Sequence, residues 1–256
     1  MIIALLTDFG TQDYFVGALK GVILSINEAA KIIDITHEIE PQNIKSASFI
    51  LASVYQTFPP QTIFVSVVDP GVGSARRAIL VETDKYSFIA PDNGLLSFIF
   101  QTQQKFRVFE LTNSQYFLPN VSQTFHGRDI FAPVAAWCSK GIDSQEFGKE
   151  VTDFVIFDDT RPKIIEENLL EAEIVHIDHF GNIVTNLKKE DVKGDFALEI
   201  NGIEIAKNLS FYAEAEIGEV FTIWGSAGYL EIVANQNLAS ELLKTKTGEK
   251  IRLKTA

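Results

Sequence analysis

The chain has 256 residues, 46% of them apolar and 22% charged, which is the makeup of a globular protein with room for one large domain or two modest ones. A formal net charge of −12 argues against a nucleic-acid or anionic-membrane surface, which needs clustered Lys and Arg, and suits a cationic small molecule better. Cys138 is the only cysteine, which excludes an internal disulfide and a Cys-based zinc site. The opening MIIALLTDFG has no basic leader and no apolar run reaches membrane-spanning length, so a soluble, cytoplasmic protein is expected.

In chain order, IIALL (2–6) and KIIDIT (31–36) are short, branched and strand-like, and between them DYFVGALKGVILSINEA (13–29) carries apolar residues at helical spacing. NIKSASFILASVYQTF (43–58) is a second helix, stopped by Pro59 and Pro60, and TIFVSVV (62–68) follows as a strand. AILVET (78–83) and YSFIAP (86–91) add strands, LLSFIFQTQ (95–103) a helix, FRVFEL (106–111) a strand, and GRDIFAPVAAWCSK (127–140) a helix that contains Pro133. Strands alternating with helices predict a doubly covered, mainly parallel sheet. Residues 142–168 are acidic and lack periodicity, as a linker would. From Glu171 onward short alternating stretches such as EAEIVHIDHF, NIVTNL, FALEIN, GEVFTIWG, GYLEIVA and KIRLKT predict a smaller β-barrel or sandwich. The fold expected is α/β, with an α/β domain over 1–165 and a β-barrel domain over 166–256.

In an open parallel sheet ligands bind beyond the carboxyl ends of the strands. Three clusters fall there: Thr7-Asp8-Phe9-Gly10, Thr36-His37, and Asp69-Pro70-Gly71-Val72-Gly73. TDFG lacks the companion signatures of a kinase, so Asp8 is either a turn or helix cap, or a carboxylate that accepts from a sugar diol. VDPGVGSARR lacks the Lys-Ser/Thr ending of a Walker loop, and a strand follows it rather than a helix. It is either a hairpin-like turn with solvated arginines, or a loop that folds Arg76 back onto Asp69. FHGRDIF sets His126 immediately before a helix start, with Asp129 in its first turn. His37, His176 and His179 read as packing or surface residues, and no HxxxH or HxH pairing points to a metal. In the second half HIDHFGNIVTN gathers Asp178, Phe180, Asn182 and Asn186, as a strand bulge or as a stacking ring beside amide donors. GSAGYLEIVANQ offers a small-residue turn from Gly225 to Gly228 that a ligand could approach closely.

Taken together, TDFG, VVDPGVG with Arg76-Arg77, PDNG (91–94), FHGRDIFAP, DHFGN with VTN, and GSAGYLEIVAN occur in this order along nearly the whole chain. The set resembles the S-adenosylmethionine hydroxide adenosyltransferase family, relatives of the fluorinase and chlorinase. The resemblance implies an N-terminal α/β domain that binds S-adenosylmethionine, a C-terminal β-barrel, and a homotrimer whose sites lie between one subunit's first domain and a neighbour's second. It implies hydrolysis of S-adenosylmethionine to adenosine and L-methionine, with the sulfonium compound as substrate and no cofactor or metal. Asp69, Arg76 and His126 match the family's catalytic set, and the halogenating relatives carry a tyrosine where this chain has Asp69. By the same resemblance Asp8 binds the ribose hydroxyls, Asn182 the adenine edge and Phe180 its face. Ser226 and the backbone near Val233 and Asn235 complete the nucleoside pocket, Asp13 and Asp178 are candidates for the methionine amino group, and Glu231 lines the ligand.

The chemistry this implies is in-line attack of water on the ribose 5' carbon with the thioether as leaving group. On this reading Asp69 orients Arg76 and His126, and those two donors stabilise a water as it becomes hydroxide. A halide-using adenosyltransferase is the alternative of the same class. A non-catalytic trimer that senses S-adenosylmethionine or adenosine is the alternative of another.

Overall fold

A computed structural model describes residues 1–157 and 161–255 of the chain. Residues 158–160 of the expected linker and Ala256 of the expected second domain lie outside the described residues. Two compact units result, Met1–Phe157 and Asp158–Ala256. Among the described residues no helix is long and apolar enough to cross a membrane.

The first unit is built on β1 (Ile2–Thr7), α1 (Phe15–Ile26), β2 (Lys31–Thr36), α2 (Ile44–Val54), β3 (Ile63–Val67), β4 (Ala78–Thr83), β5 (Ser87–Pro91), α3 (Ser97–Thr102), β6 (Phe106–Glu110) and α4 (Ala132–Ser139). The strand order is β2-β1-β3-β5-β4-β6. β1 pairs in parallel with β2 and β3, and β3 with β5, whereas β4 is antiparallel to both β5 and β6. The sheet is therefore mixed, with a parallel half. Alternate residues of its strands face opposite sides, and each side has its own core. Ile3, Leu5, Val65 and Val67 pack with Leu19 and Ile23 of α1 and with Val134 and Ala135 of α4. Ala4, Leu6, Phe64 and Phe88 pack with Ala47 and Leu51 of α2 and Ile99 of α3. Chain order fixes this arrangement: β1 to β2 and β2 to β3 run in opposite directions along the sheet, so right-handed crossovers send α1 and α2 to opposite faces.

Two sequence expectations need correction here. The stretch 65–79 does not close a hairpin, because β5 lies between β3 and β4 and the loop must pass across its end. The 127–140 helix is not uniform, since Gly127–Phe131 forms a π-helical turn before α4, and Pro133 follows that turn, where the carbonyl of Asp129 four residues back accepts from Leu118 N at 2.9 Å instead.

The acidic stretch after Gly141 is also more than a linker. Phe147 is fully buried in the first core, and the backbone of Lys149 and Val151 bonds to Glu110 and Val108. Farther on, one guanidinium holds the chain: Arg77 Nε and Nη2 donate to Asp92 Oδ2 at 2.9 and 2.7 Å, and Nη1 donates to Asp153 Oδ1 at 2.7 Å. Asp92 Oδ1 accepts from Val155 N at 2.8 Å, and Ser97 Oγ from Phe157 N at 2.9 Å. Gly94 permits this packing, because a Cβ there would stand 2.6 Å from the Phe157 ring.

The second unit comprises β7 (Lys163–Glu166), β8 (Leu169–Ile177), β9 (Ile183–Lys188), β10 (Phe196–Ile200), β11 (Ile203–Ile205), β12 (Val220–Trp224), β13 (Tyr229–Ala234), the short helix α5 (Ala239–Leu242) and β14 (Lys250–Thr255). Its strands pair antiparallel in the order β11-β10-β14-β8-β9-β13-β12, with β7 attached to β8. Just past β11, Leu209 N bonds to Thr222 O and Thr222 N to Lys207 O, so the sheet is nearly closed and barrel-like. Ile174, Ile183, Leu198, Leu230 and Leu253 fill the interior. β7 falls inside the expected 142–168 linker; its four residues are all exposed and carry no alternating pattern to announce a strand.

Replacing Phe147 by Ala tests the packing of the supposed linker. A fully buried phenylalanine of this kind should cost about 3–5 kcal/mol of unfolding free energy in a denaturant titration, whereas a solvated linker residue would cost almost nothing.

Candidate active site

The last paired residues of β1 and β3 are Thr7 and Val67, side by side in parallel register. Asp8 follows Thr7 directly and Asp69 follows Val67 after Val68, at the point where the helices diverge to opposite faces of the sheet, which is where such folds open a crevice. A cavity of about 390 Å³ lies there, lined by Asp8, Asp69 and His126 together with the rings of Phe9, Phe15 and Phe125. The three phenylalanines contact one another with centroids 5.3 to 5.9 Å apart, which gives the carboxylates one apolar wall.

Arg76 lies behind Asp69. Its Nε donates to Asp69 Oδ1 at 2.9 Å and its Nη2 to Asp69 Oδ2, so the contact is bidentate. The two side chains are only 10% and 5% exposed, which takes this pair out of the weak class of surface salt bridges. The loop between them is folded by its own groups: Val72 N bonds to Asp69 O, Ser74 Oγ donates to Gly71 O at 2.6 Å, and Arg76 N donates back to Ser74 Oγ. Gly73 takes φ +77°, and a Cβ on it would stand 2.2 Å from the carbonyl oxygen of Gln123. Only glycine lets the Asp69 loop touch the loop that carries His126.

Arg76 Nη2 also stands 2.8 Å from His126 Nδ1. A guanidinium has no acceptor, so Nδ1 must be unprotonated and accept from it. Burial, and then the Arg76 charge, push the His126 imidazole below its ordinary value. His126 is therefore a neutral acceptor towards Arg76, which leaves its ring proton on Nε2 as a donor. The preceding loop is fixed by Asp129, fully buried in the π turn, which accepts from Ser122 N at 2.8 Å and from Arg128 Nε at 2.6 Å. On the other side of the cavity, Asp8 Oδ2 accepts from Gln42 N at 2.9 Å. Burial pushes the Asp8 carboxyl up, and the neighbouring Asp69 charge adds to the rise.

In the second unit the β8–β9 turn is organised by Asp178. Its Oδ1 accepts from the backbone N of Phe180 and Asn182 and its Oδ2 from Asn182 Nδ2, each at 2.9 Å. The Phe180 ring is left 71% exposed. It lines a second cavity of about 650 Å³ with Asn182, Tyr212, Gln236 and Leu238. Glu231 lies over Gly225, where any Cβ would collide with its carboxylate, and burial followed by the Asp178 charge pushes its carboxyl up.

The structure thus brings Asp8, Asp69, Arg76 and His126 together in one unit, and Asp178, Phe180 and Asn182 together in the other. The remaining expected ligand residues line neither cavity. Asp13 stands exposed in the bend before α1, and Ser226 is exposed in the β12–β13 turn. The Val233 side chain is fully buried against Phe221 and Ile223, which leaves only its backbone to a ligand, and Asn235 Nδ2 is bonded to Ala215 O at 2.7 Å. The aromatic wall, Gln42 and Tyr212 were missed from sequence. Gln42 has φ +68°, a conformation that no local sequence pattern announces.

Two family models match the chain. The SAM hydroxide adenosyltransferase N-terminal domain matches residues 3–148 and the corresponding C-terminal domain residues 172–252. A Methanocaldococcus jannaschii protein named (R)-S-adenosyl-L-methionine hydrolase is 38% identical, over 98% of this chain and 95% of its own. One of the same name from Thermus thermophilus is 32% identical over 97% of both chains, and a fluorinase from an Actinoplanes species is 25% identical over 91% of both. The crystal structure of a conserved protein from Thermotoga maritima superposes with a TM-score of 0.89 at 36% identity, covering 99% of each chain. With both domain models matched in order and relatives of the same length above 30% identity, the chain belongs to the SAM hydroxide adenosyltransferase family.

Proposed function

We propose that the protein hydrolyses S-adenosyl-L-methionine to adenosine and L-methionine. One observation carries the reading: a bidentate Asp69–Arg76 pair, bonded on to a neutral His126, opens onto a cavity that also holds Asp8. The names of the full-length relatives support it.

The sulfonium is already a good leaving group, so the protein has chiefly to present an aligned nucleophile, a service worth about 7 kcal/mol or more. The water oxygen forms a bond to the 5' carbon, the carbon–sulfur pair leaves with the thioether of methionine, and one proton passes to solvent. Asp69 and His126 reach the cavity and Arg76 does not, so a water beside Asp69 would donate to its carboxylate while the buried guanidinium behind lowers the cost of developing hydroxide character. His126 keeps Arg76 turned towards Asp69 by accepting its second Nη2 hydrogen. A carboxylate at this place repels a halide ion, which favours water over the chemistry of the fluorinase relatives. The Asp8 carboxylate suits a ribose diol, and Phe180 with Asn182 suits an adenine face and edge. The reading includes a homotrimer in which these two half-sites meet across subunits. It includes no metal, because Arg76 already takes up both oxygens of Asp69.

Incubation with S-adenosylmethionine in oxygen-18 water, with a chelator present, should give methionine and labelled adenosine by mass spectrometry; intact substrate bound at stoichiometric occupancy would instead indicate a sensor. Asp69→Asn, Arg76→Met and His126→Ala should each lower kcat by roughly a hundredfold or more while adenosine affinity, measured by calorimetry, stays close to that of the parent protein.

The depressed His126 value sets a pH signature. kcat should hold down through pH 6.5, the ordinary histidine value, and fall only below it, as protonation of Nδ1 breaks the bond from Arg76. Stability follows the same sign: the unfolded chain takes up the proton first, so the contribution present above 6.5 is lost as pH falls from there towards the folded value. In Arg76→Met the nearby positive charge is gone, and the His126 ring resonances should titrate at higher pH than in the parent protein.

A further inference from the structure

His37 stands at the end of β2 and reads from sequence as a packing histidine. It is 4% exposed, lines neither cavity, and is bonded at two points to the turn that presents Asp8. Its carbonyl accepts from Gly10 N at 2.7 Å, and its Nδ1 stands 2.8 Å from the fully buried Thr7 Oγ1. Thr7 Oγ1 in turn accepts from Phe9 N at 3.2 Å. Thr7 and Gly10 are therefore tied directly to His37, and Phe9 is tied to it through the Thr7 hydroxyl.

The polarity of this chain is fixed. On its far edge, His37 Nε2 faces Asp34 Oδ1 at 3.1 Å, in an ion-pair contact whose angles fall short of a good hydrogen bond, and Lys20 Nζ holds the other Asp34 oxygen at 2.6 Å. A carboxylate facing Nε2 favours the proton on that nitrogen, which leaves Nδ1 as acceptor for the Thr7 hydroxyl. With its hydrogen committed to His37, Thr7 Oγ1 is free to accept from Phe9 N. Reversing the tautomer would turn the Nε2 lone pair towards the Asp34 carboxylate and set two acceptors against each other.

We infer that His37 is a positioning residue for substrate binding, which sets the Thr7–Gly10 turn and through it the direction of the Asp8 carboxylate. The inference rests on Asp8 binding the ribose, and it assigns His37 to affinity rather than to the chemical step, since the Asp69, Arg76 and His126 contacts do not involve it.

The test uses full-length protein with S-adenosylmethionine as substrate and adenosine as binding probe. An asparagine amide can occupy the place of Nδ1, whereas a glutamine amide reaches the place of Nε2. His37→Gln and His37→Ala should raise KM and the adenosine Kd about tenfold, the loss of one buried hydrogen bond, with kcat within about twofold of the parent. His37→Asn, which keeps an acceptor for Thr7, should restore both constants. If the alanine variant does not fold, Thr7→Val removes the same bond almost isosterically and should show the same rise in KM. Parent-like KM in Thr7→Val and His37→Gln, an asparagine variant as poor as the glutamine one, or a fall in kcat at constant KM would each overturn the inference. Asp8→Asn separates it from the reading beneath: if that variant also binds with parent affinity, the ribose assignment fails, whereas a weakened Asp8→Asn beside unaffected His37 variants removes only the role given to His37.

Discussion

The parallel pairing of β1 with β3 is the constraint on which the site depends. It brings two strand ends together in register and delivers two carboxylates to one crevice, where like charges oppose each other. The two acids are treated differently. Asp69 receives a buried guanidinium, while Asp8 receives a backbone N–H and the cost of burial. The difference gives the crevice a division of labour between neighbouring acids, one compensated by a full positive charge and one left to partner neutral donors.

That compensation organises the first unit outward. Arg76 must reach both Asp69 and His126, so two loops from distant parts of the chain have to touch, and Gly73 against Gln123 is the place where they do. The π turn after His126 allows the same interpretation. An extra residue in the first turn of a helix shifts what precedes it, and here Asp129 uses the shift to pin the loop on which His126 sits.

Much of this was legible in the residues. Asp8 and Asp69 stand out because each ends an apolar, branched run and meets glycine or proline within two residues, and a Pro/Gly turn of six residues can return Arg76 to Asp69. The insertion of β5 between β3 and β4 was not legible, because periodicity shows that a stretch is a strand without showing which strand it will pair with. Phe147 hid in an acidic stretch for a related reason: a single buried ring anchoring irregular chain has no period. His37 was marked as standing at a strand end, yet its role was not legible, because its partners, Thr7 and Gly10, come from another strand end and only the pairing of β1 with β2 brings them near. The ligand residues expected in the second unit differ along the same line: the compact turn from Asp178 to Asn182 is local and formed as a group, whereas Ser226 stands in the turn before β13 and Val233 and Asn235 at its far end.

Arg76 and Arg77 are adjacent in the chain and serve opposite sides of it, one held by Asp69 and His126, the other by Asp92 and Asp153. They stand at the entrance to β4, where successive side chains of an extended backbone alternate in direction. The parity that separates them is counted back from Ala78, the first residue of β4, so the register of that strand and not the length of the loop before Arg76 sets which guanidinium faces Asp69 and which faces Asp92. Residues could be gained or lost between Gly73 and Arg76 without exchanging the two arginines, whereas a single insertion between Arg77 and Ala78 would turn both to the opposite side.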